Sequence, residues 1–397
     1  MADNLLCTLI LASEKASRIA RLCRENQDLF SLLIQEKGEK FNEIDFKTLA
    51  DVFIQQTVTK EVKTKFGKLA DYVQGEENNQ FTNTLGETVS VEIGSEVKET
   101  SDMLSKVLAG NDAAARVLAE AAHEEISLEI ESLVEPDVLK DIASSNLDLE
   151  NIGIWIDPID CTSQYVKGIE DMVPTAHGIY EAGLQCVMVL IGVYSLDDGK
   201  PILGVVNQPF CQKNVNNGQK KKWKSRCIWG FSYNNVNRNN LKKNNTIHNE
   251  KHVVVLSSHD PEALSVIKPL SSTMETCLSR GAGHKCVTVV DKLAELFVYT
   301  FDGSYKWDTC APHAILRSCE GGIAVLNEAI EKYDTTESEN DFLSVLDSCQ
   351  VKYNEASESN KNQNWKANSG GLLVYNGTSR SNDAMRQILK AFASTRS

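Results

Sequence analysis

The chain has 397 residues, 42% of them hydrophobic, so it can bury a large core, and its length accommodates two or three domains or one large α/β unit. A net charge of −14 argues against a nucleic-acid surface; eleven cysteines, odd in number and without a Cys-x-x-Cys pair, argue against a disulfide framework or zinc site and for reduced thiols in the cytoplasm. The longest apolar run, 186–194, falls short of the ~20 residues of a membrane span, and the first residues, with Asp3 and Glu14 around a short apolar run and no basic leader, do not read as a signal peptide.

Residues 1 to about 70 read as mainly helical, beginning with Leu5, Leu6, Leu9 and Ile10. Phe46, Leu49, Ala50, Phe53 and Ile54 recur at helical spacing, with Asp45 placed to cap that helix and Asp51 inside it. Tyr72-Val73-Gln74 leads into Gly75-Glu76-Glu77, where paired carboxylates follow a permissive glycine. Adjacent glutamates are also commonplace on solvated faces. A short strand is expected over 88–93 and helices between 109 and 130.

Ile152, Ile154 and Ile156, with Trp155 between, predict a strand buried on both faces. Pro158 is expected to stop its ladder, leaving Asp157-Pro158-Ile159-Asp160-Cys161-Thr162 at the strand end. Two carboxylates and the Ile159 carbonyl aimed at one point would suit a hard cation such as magnesium, manganese or calcium rather than zinc. The same residues also make an ordinary turn with a helix cap.

Segments 186–194 and 202–206 flank Asp197-Asp198-Gly199-Lys200 as a hairpin. Residues 214–249, rich in asparagine and lysine, read as a surface insertion, a solvated loop in preference to an anion-binding or membrane-surface patch. Gly281-Ala282-Gly283-His284-Lys285-Cys286 reads as a glycine turn ahead of an amphipathic stretch, 287–296, and it is no Walker loop. After an extended piece near Leu296, Val298, Thr300 and Phe301, a helix is expected with Asp308 as N-cap and Pro312 in its first turn. An acid there either simply caps the helix or holds a cation that in turn holds phosphate. Residues 328–364, with little core-forming pattern except 342–346, look like an exposed acidic excursion before Trp365 and a last strand at 371–375.

Asp51, Glu76-Glu77, Asp157-Pro158-Ile159-Asp160-x-Thr162 and Trp307-Asp308 followed by Gly321-Gly322 occur in an order that resembles one family. It is the lithium-sensitive, magnesium-dependent phosphatase family of inositol monophosphatases, bisphosphate nucleotidases and, more distantly, fructose-1,6-bisphosphatases. Gln164-Tyr165-Val166-Lys167-Gly168, Asn207-Gln208-Pro209-Phe210 and the long connection 168–184 resemble its inositol polyphosphate branch. The resemblance implies an α/β fold, the layered α-β-α-β-α sandwich of the inositol monophosphatase-like (sugar phosphatase) type. An N-terminal α+β part, 1–185, and a C-terminal α/β part, 186–397, would form one catalytic unit.

The resemblance further implies that Glu76, Asp157 and the Ile159 carbonyl hold one Mg²⁺, and that Asp157, Asp160 and Asp308 hold a second. Asp51 and Thr162 would orient and deprotonate the attacking water, with Glu77 supporting them or holding a third, weaker metal. Cys161, Thr162, Gly283, Lys285 and His313 would meet the substrate, although His313 reads equally well as a satisfied core histidine. The implied reaction is lithium-inhibited removal of the 1-phosphate from inositol 1,4-bisphosphate and inositol 1,3,4-trisphosphate by a cytoplasmic monomer. The alternatives are a 3′(2′),5′-bisphosphate nucleotidase and a catalytically silent metal- or phosphate-binding relative serving as an interaction protein. Cys161 and Glu320 depart from the small residues the family pattern favours at those positions.

Overall fold

A computed structural model describes the chain except residues 1, 26–29, 31–32, 41–42, 127–133, 215–221, 243–249, 334–338, 355–363 and 397. The chain divides into two units, the first made of Met1–Met172, Gly183–Ile191 and Val205–Ile228, the second of Val173–Ala182, Gly192–Gly204 and Trp229–Ser397.

The first unit opens with helix α1 (Ala2–Glu25), then the antiparallel strands β1 (Ile34–Lys40) and β2 (Glu43–Thr48), then helix α2 (Leu49–Phe66). Helix α2 starts at Thr48, whose side chain caps it, so the expected cap at position 45 is corrected: that position belongs to β2. A Thr-x-x-Asp capping box outcompetes a lone upstream acid because it satisfies two orphan N–H groups at once. The hairpin interrupts a segment, residues 1–70, that is otherwise mainly helical as expected, through α1 and α2. Helix α2 buries Leu49, Val52, Phe53, Ile54, Val58 and Val62 and packs on α1.

Strand β3 (Val73–Gly75) follows, then the small pair β4 (Gln80–Thr82) and β5 (Thr88–Ser90) and helices α3 (Val97–Val107), α4 (Asp112–His123) and α5 (Pro136–Ser144). The tail of the helical stretch expected between 109 and 130 lies outside the described residues. Strand β6 (Ile152–Asp160) is buried at all nine positions and leads through Cys161 into the short helix α6 (Thr162–Lys167).

Pro158 does not stop β6, contrary to expectation, and the reason is local. Strand β3 pairs in parallel with β6 only from Val73↔Ile154 to Gly75↔Ile156, so on that side the ladder has ended before the proline. A missing N–H costs little where no partner strand continues.

Strands β7 (Met188–Ser195), β8 (Pro201–Asn214) and β9 (Lys222–Tyr233) each begin in one unit and end in the other. Ser195 N–H donates to the Lys200 carbonyl at 2.9 Å and closes the predicted turn between β7 and β8. With β10 (Val236–Asn239) they give the sheet order β10-β9-β8-β7-β6-β3. Much of 214–249 is therefore sheet rather than a surface insertion, and Ile228, Trp229 and Phe231 are buried in it. The lysine-rich composition hid the apolar alternation at its end; the lysine run up to 221 lies outside the described residues.

The second unit holds β11 (His252–Leu256), α7 (Pro261–Ile267), β12 (Met274–Leu278), α8 (Ala282–Val290), β13 (Leu296–Tyr299), α9 (Lys306–Arg317), β14 (Gly322–Val325), α10 (Leu326–Lys332), α11 (Glu339–Ser348), β15 (Leu372–Tyr375) and α12 (Ser379–Arg396). Its sheet runs β12-β11-β13-β15-β14, with β11 parallel to β12 and β13, and β15 antiparallel to β13 and β14. Val254, Val298 and Leu373 of that sheet pack with Ile267, Ala329, Phe342, Leu346, Ile388 and Phe392 of the helices. The exposed excursion expected over 328–364 is thus corrected, since Phe342 and Leu346 anchor α11 in the core. Each such anchor contributes roughly 1.5–3 kcal/mol, enough to outweigh an acidic surround. Among the described residues no helix is long and apolar enough to cross a membrane.

Candidate active site

In the first unit, parallel pairing sets two acidic motifs side by side. Gly75 is opposite Ile156, and Glu76 N–H donates to the Ile156 carbonyl at 3.2 Å, so Glu76-Glu77 leaves β3 beside Asp157 at the carboxyl end of β6. That edge of a parallel pair is where ligand sites collect. Asp157 and Asp160 are only 1% and 5% exposed, and their carboxylates approach within 4.8 Å. Asp157 Oδ1 accepts the Ile159 N–H at 3.1 Å, and the Thr162 hydroxyl donates to the Ile159 carbonyl at 3.0 Å, which leaves that carbonyl a second lone pair.

Cys161 connects strand to helix at φ 71°, ψ 42°. The left-handed region favours glycine, which accounts for the small residues of the family pattern there and for the strain that cysteine accepts. Glu320 repeats the case at φ 67°. It lies in the turn just past α9, where Gly321 N–H closes on the Leu316 carbonyl at 2.9 Å, so the turn closes off the helix terminus.

Asp51 is the third residue of α2. Its Oδ2 accepts the Thr48 N–H at 2.7 Å and the Thr48 hydroxyl at 2.5 Å, while Oδ1 is buried without a hydrogen-bond partner. Burial first, then the charges of Glu77 and Glu76, push its carboxyl up to about 8, against the Thr48 bonds. A buried carboxyl poised near neutrality is suited to take a proton.

Two residues missed by sequence reasoning hold Glu77. The Gln55 amide grips its backbone from both sides: Gln55 Nε2 donates to the Glu77 carbonyl, and Glu77 N–H donates to Gln55 Oε1 at 3.0 Å. A Cβ at Gly75 would lie 2.8 Å from the Ile156 carbonyl and closer still to Gln55, so the glycine makes room for the grip. Lys47 Nζ lies 2.8 Å from Glu77 Oε2, with the two side chains 8% and 4% exposed. Gln55 follows Asp51 by four residues, one helical turn on the same face, which was a usable signal; for Lys47 no pattern in the sequence gave one.

In the second unit, Asp308 is also the third residue of its helix, and its Oδ2 accepts the Tyr305 N–H at 2.6 Å. Asp308 is therefore not the N-cap, which is Tyr305, and Pro312 lies in the helix interior rather than its first turn. Helix α9 rests on three glycines, one in each of β7, β8 and β9. A Cβ would lie 2.5 Å from Ala311 N at Gly192, 2.0 Å from the Ala311 carbonyl at Gly204 and 2.7 Å from Ile315 Cα at Gly230. Backbone-to-backbone approach this close is open only to glycine.

Gly283 sits in the first turn of α8, buried, with Gly281 at φ 76° before it as N-cap. Lys285 is buried too, its ammonium 5.2 Å from the centre of the Phe297 ring. His284 pairs with the Ser279 hydroxyl at 2.9 Å, and burial, then the Lys285 charge, lower its pKa to about 4. His313 does not fit the substrate-binding role considered for it. It is fully buried, with Nδ1 3.0 Å from the Tyr353 hydroxyl and Nε2 2.9 Å from Gln350 Oε1, and burial lowers its pKa to about 3. Five residues past Asp308 it faces another side of α9, toward the core.

The inositol monophosphatase family pattern matches residues 55–345. The chain is 38% identical over 98% of its length to mouse inositol polyphosphate 1-phosphatase, covering 98% of that protein. It is 29% identical to a Dictyostelium discoideum 3′(2′),5′-bisphosphate nucleotidase, over 44% of this chain and 52% of that one. Among solved structures, a Thermotoga maritima inositol monophosphatase superposes with a TM-score of 0.51 at 12% identity, covering both chains fully, which shows a shared fold.

Proposed function

The chain belongs to the inositol monophosphatase family and is a phosphoric monoester hydrolase of that kind; we propose that it removes the 1-phosphate from inositol 1,4-bisphosphate and inositol 1,3,4-trisphosphate, requires Mg²⁺ and is inhibited by Li⁺. The observation that carries this reading is similarity to an inositol polyphosphate 1-phosphatase over 98% of both chains, whereas the nucleotidase match stops at 44% of this one. A cytoplasmic monomer acting on a freely diffusing small molecule is part of the same proposal.

The donor set fits hard divalent cations. Asp157 and Asp160 are buried carboxylates within 4.8 Å of each other beside Glu76 and the Ile159 carbonyl, all of them oxygen donors. Buried anions of this density call for cations. In the proposed arrangement Glu76, Asp157 and the Ile159 carbonyl hold one Mg²⁺, and the family's ligand pattern adds Asp308 to Asp157 and Asp160 for another. Such a pair, when bound, would acidify a water and neutralise phosphoryl oxygens.

The remaining work falls to the protein's own groups. Thr162 orients the attacking water, and Asp51, held at Oδ2 by Thr48 with Oδ1 to spare, takes its proton. Lys285, buried on α8, meets a further phosphate or ring hydroxyl. The test is phosphate release from inositol 1,4-bisphosphate and from adenosine 3′,5′-bisphosphate, each with and without Mg²⁺ and Li⁺. Faster Mg²⁺-dependent turnover of the inositol ester supports the proposal. Preference for the nucleotide makes the protein a nucleotidase, and turnover of neither leaves a silent relative.

A further inference from the structure

We propose that Lys47 is a built-in cation of this active site, holding Glu77 in the place where a third divalent ion would otherwise be needed, so that the protein works with two metals. The inference rests on the two-metal reading above and deepens it. Lys47 Nζ lies 2.8 Å from Glu77 Oε2 and donates to Asn78 Oδ1 at 2.9 Å. Both charged side chains are more than nine-tenths buried. Gln55 fixes the Glu77 backbone at its N–H and carbonyl, so the carboxylate is presented to Lys47 from a rigid support.

Stability is a poor explanation for such a pair, because desolvating two charges costs about as much as their attraction returns. Position gives a better one. Lys47 immediately precedes Thr48, the residue that holds Asp51, and Glu77 immediately follows Glu76 at the end of β3. Glu77 is the foremost neighbouring charge acting on Asp51, so a cation that fixes the Glu77 carboxylate fixes where that charge stands relative to the proton acceptor. An ammonium is a compact point charge that remains in place at every metal concentration, unlike a weakly held ion. Glu77 then serves as a positioning residue rather than a metal ligand.

The experiment counts bound Mn²⁺ by the loss of its free-ion paramagnetic resonance signal, on the full chain and on Glu77→Gln, Lys47→Met, Lys47→Arg and Asp157→Asn, each checked for folding by circular dichroism. The proposal expects two Mn²⁺ in the parent protein and two in Glu77→Gln, with affinities within about threefold. Lys47→Met should take up an additional, weaker Mn²⁺, and Lys47→Arg should not. Three ions in the parent falling to two in Glu77→Gln would overturn it by making Glu77 a ligand. Should Lys47→Met not fold, the Glu77→Gln count decides alone. Asp157→Asn retaining both ions would instead sink the two-metal reading on which the proposal stands, while leaving the Lys47–Glu77 pair itself untouched.

Discussion

Asp51 in the first unit and Asp308 in the second occupy the same local position. Each is the third residue of its helix, and each gives Oδ2 to the backbone N–H of the capping residue, at 2.7 Å from Thr48 and 2.6 Å from Tyr305. What differs is how the helix beneath is fixed. Asp51 is fully buried, and that burial, with the charges of Glu77 and Glu76 added to it, pushes its carboxyl up to about 8. Asp308 is half-buried, on a helix set down on Gly192, Gly204 and Gly230. One carboxylate is tuned by burial and neighbouring charge, and the other is placed by packing. A capping box can thus hold an acid in either way, because it occupies one oxygen and leaves the other for a further partner.

That contrast makes unlike demands on substitution. Asp51→Asn and Asp308→Asn should each lower turnover by ~10²–10⁴-fold, the range for losing a proton acceptor or a charge-stabilising group. Their stabilities should move in opposite directions. In metal-free buffer the folded state keeps a proton on Asp51 that the unfolded chain releases, so stability falls as pH rises from about 4 to about 8. Asp51→Asn should flatten that dependence and raise the melting temperature at pH 8, whereas Asp308→Asn should cost ~0.3–1 kcal/mol of helix-terminus stabilisation. Chemical denaturation with chelator across that pH range checks both, and parallel losses would erase the distinction.

Packing of the second kind is tested at Gly204. A side chain there meets the Ala311 backbone, so Gly204→Val should cost ~3 kcal/mol in urea denaturation and displace Asp308 with its helix. A variant of parental stability would show that α9 is not seated by its glycine floor. The buried histidine behind Asp308 gives a smaller effect. His313 is neutral in the fold, with a pKa near 3, while the unfolded chain protonates it near 6.5, so its contribution is lost as pH falls below 6.5. Between pH 7 and pH 5 that amounts to ~2 kcal/mol, and His313→Gln should remove that share of the slope. Away from these two helices' acids and floor, Glu320→Gly should gain ~1 kcal/mol by relieving a left-handed backbone, with turnover unchanged.

The placement of several candidate site residues was legible from residue order. Asp157 and Asp160 could be placed at the end of a strand because the isoleucines before them leave no other reading, and the structure buries all nine residues of β6. Helix starts were read three residues off in both units, at positions 45 and 308. Single acids were weighed as caps, whereas the structure pairs the cap with the acid three residues on. Contacts that depend on two distant segments were invisible. Lys47 reads as a surface lysine until β2 is brought beside the loop after β3, and Gln55 reads as a polar helix residue until Gly75 opens room for it. Composition misled most in 214–249 and 328–364, where polar residues surround a few large apolar ones that the core requires.

The central claim is that acids at the carboxyl end of β3 and β6 drive a metal-dependent hydrolysis. Its most direct test is Asp157→Asn, measured for Mn²⁺ binding and for phosphate release from inositol 1,4-bisphosphate in saturating Mg²⁺. The account predicts a folded protein with at least one ion lost and turnover reduced by ~10³-fold or more. A variant that keeps its ions and hydrolyses the ester at the parental rate would contradict it.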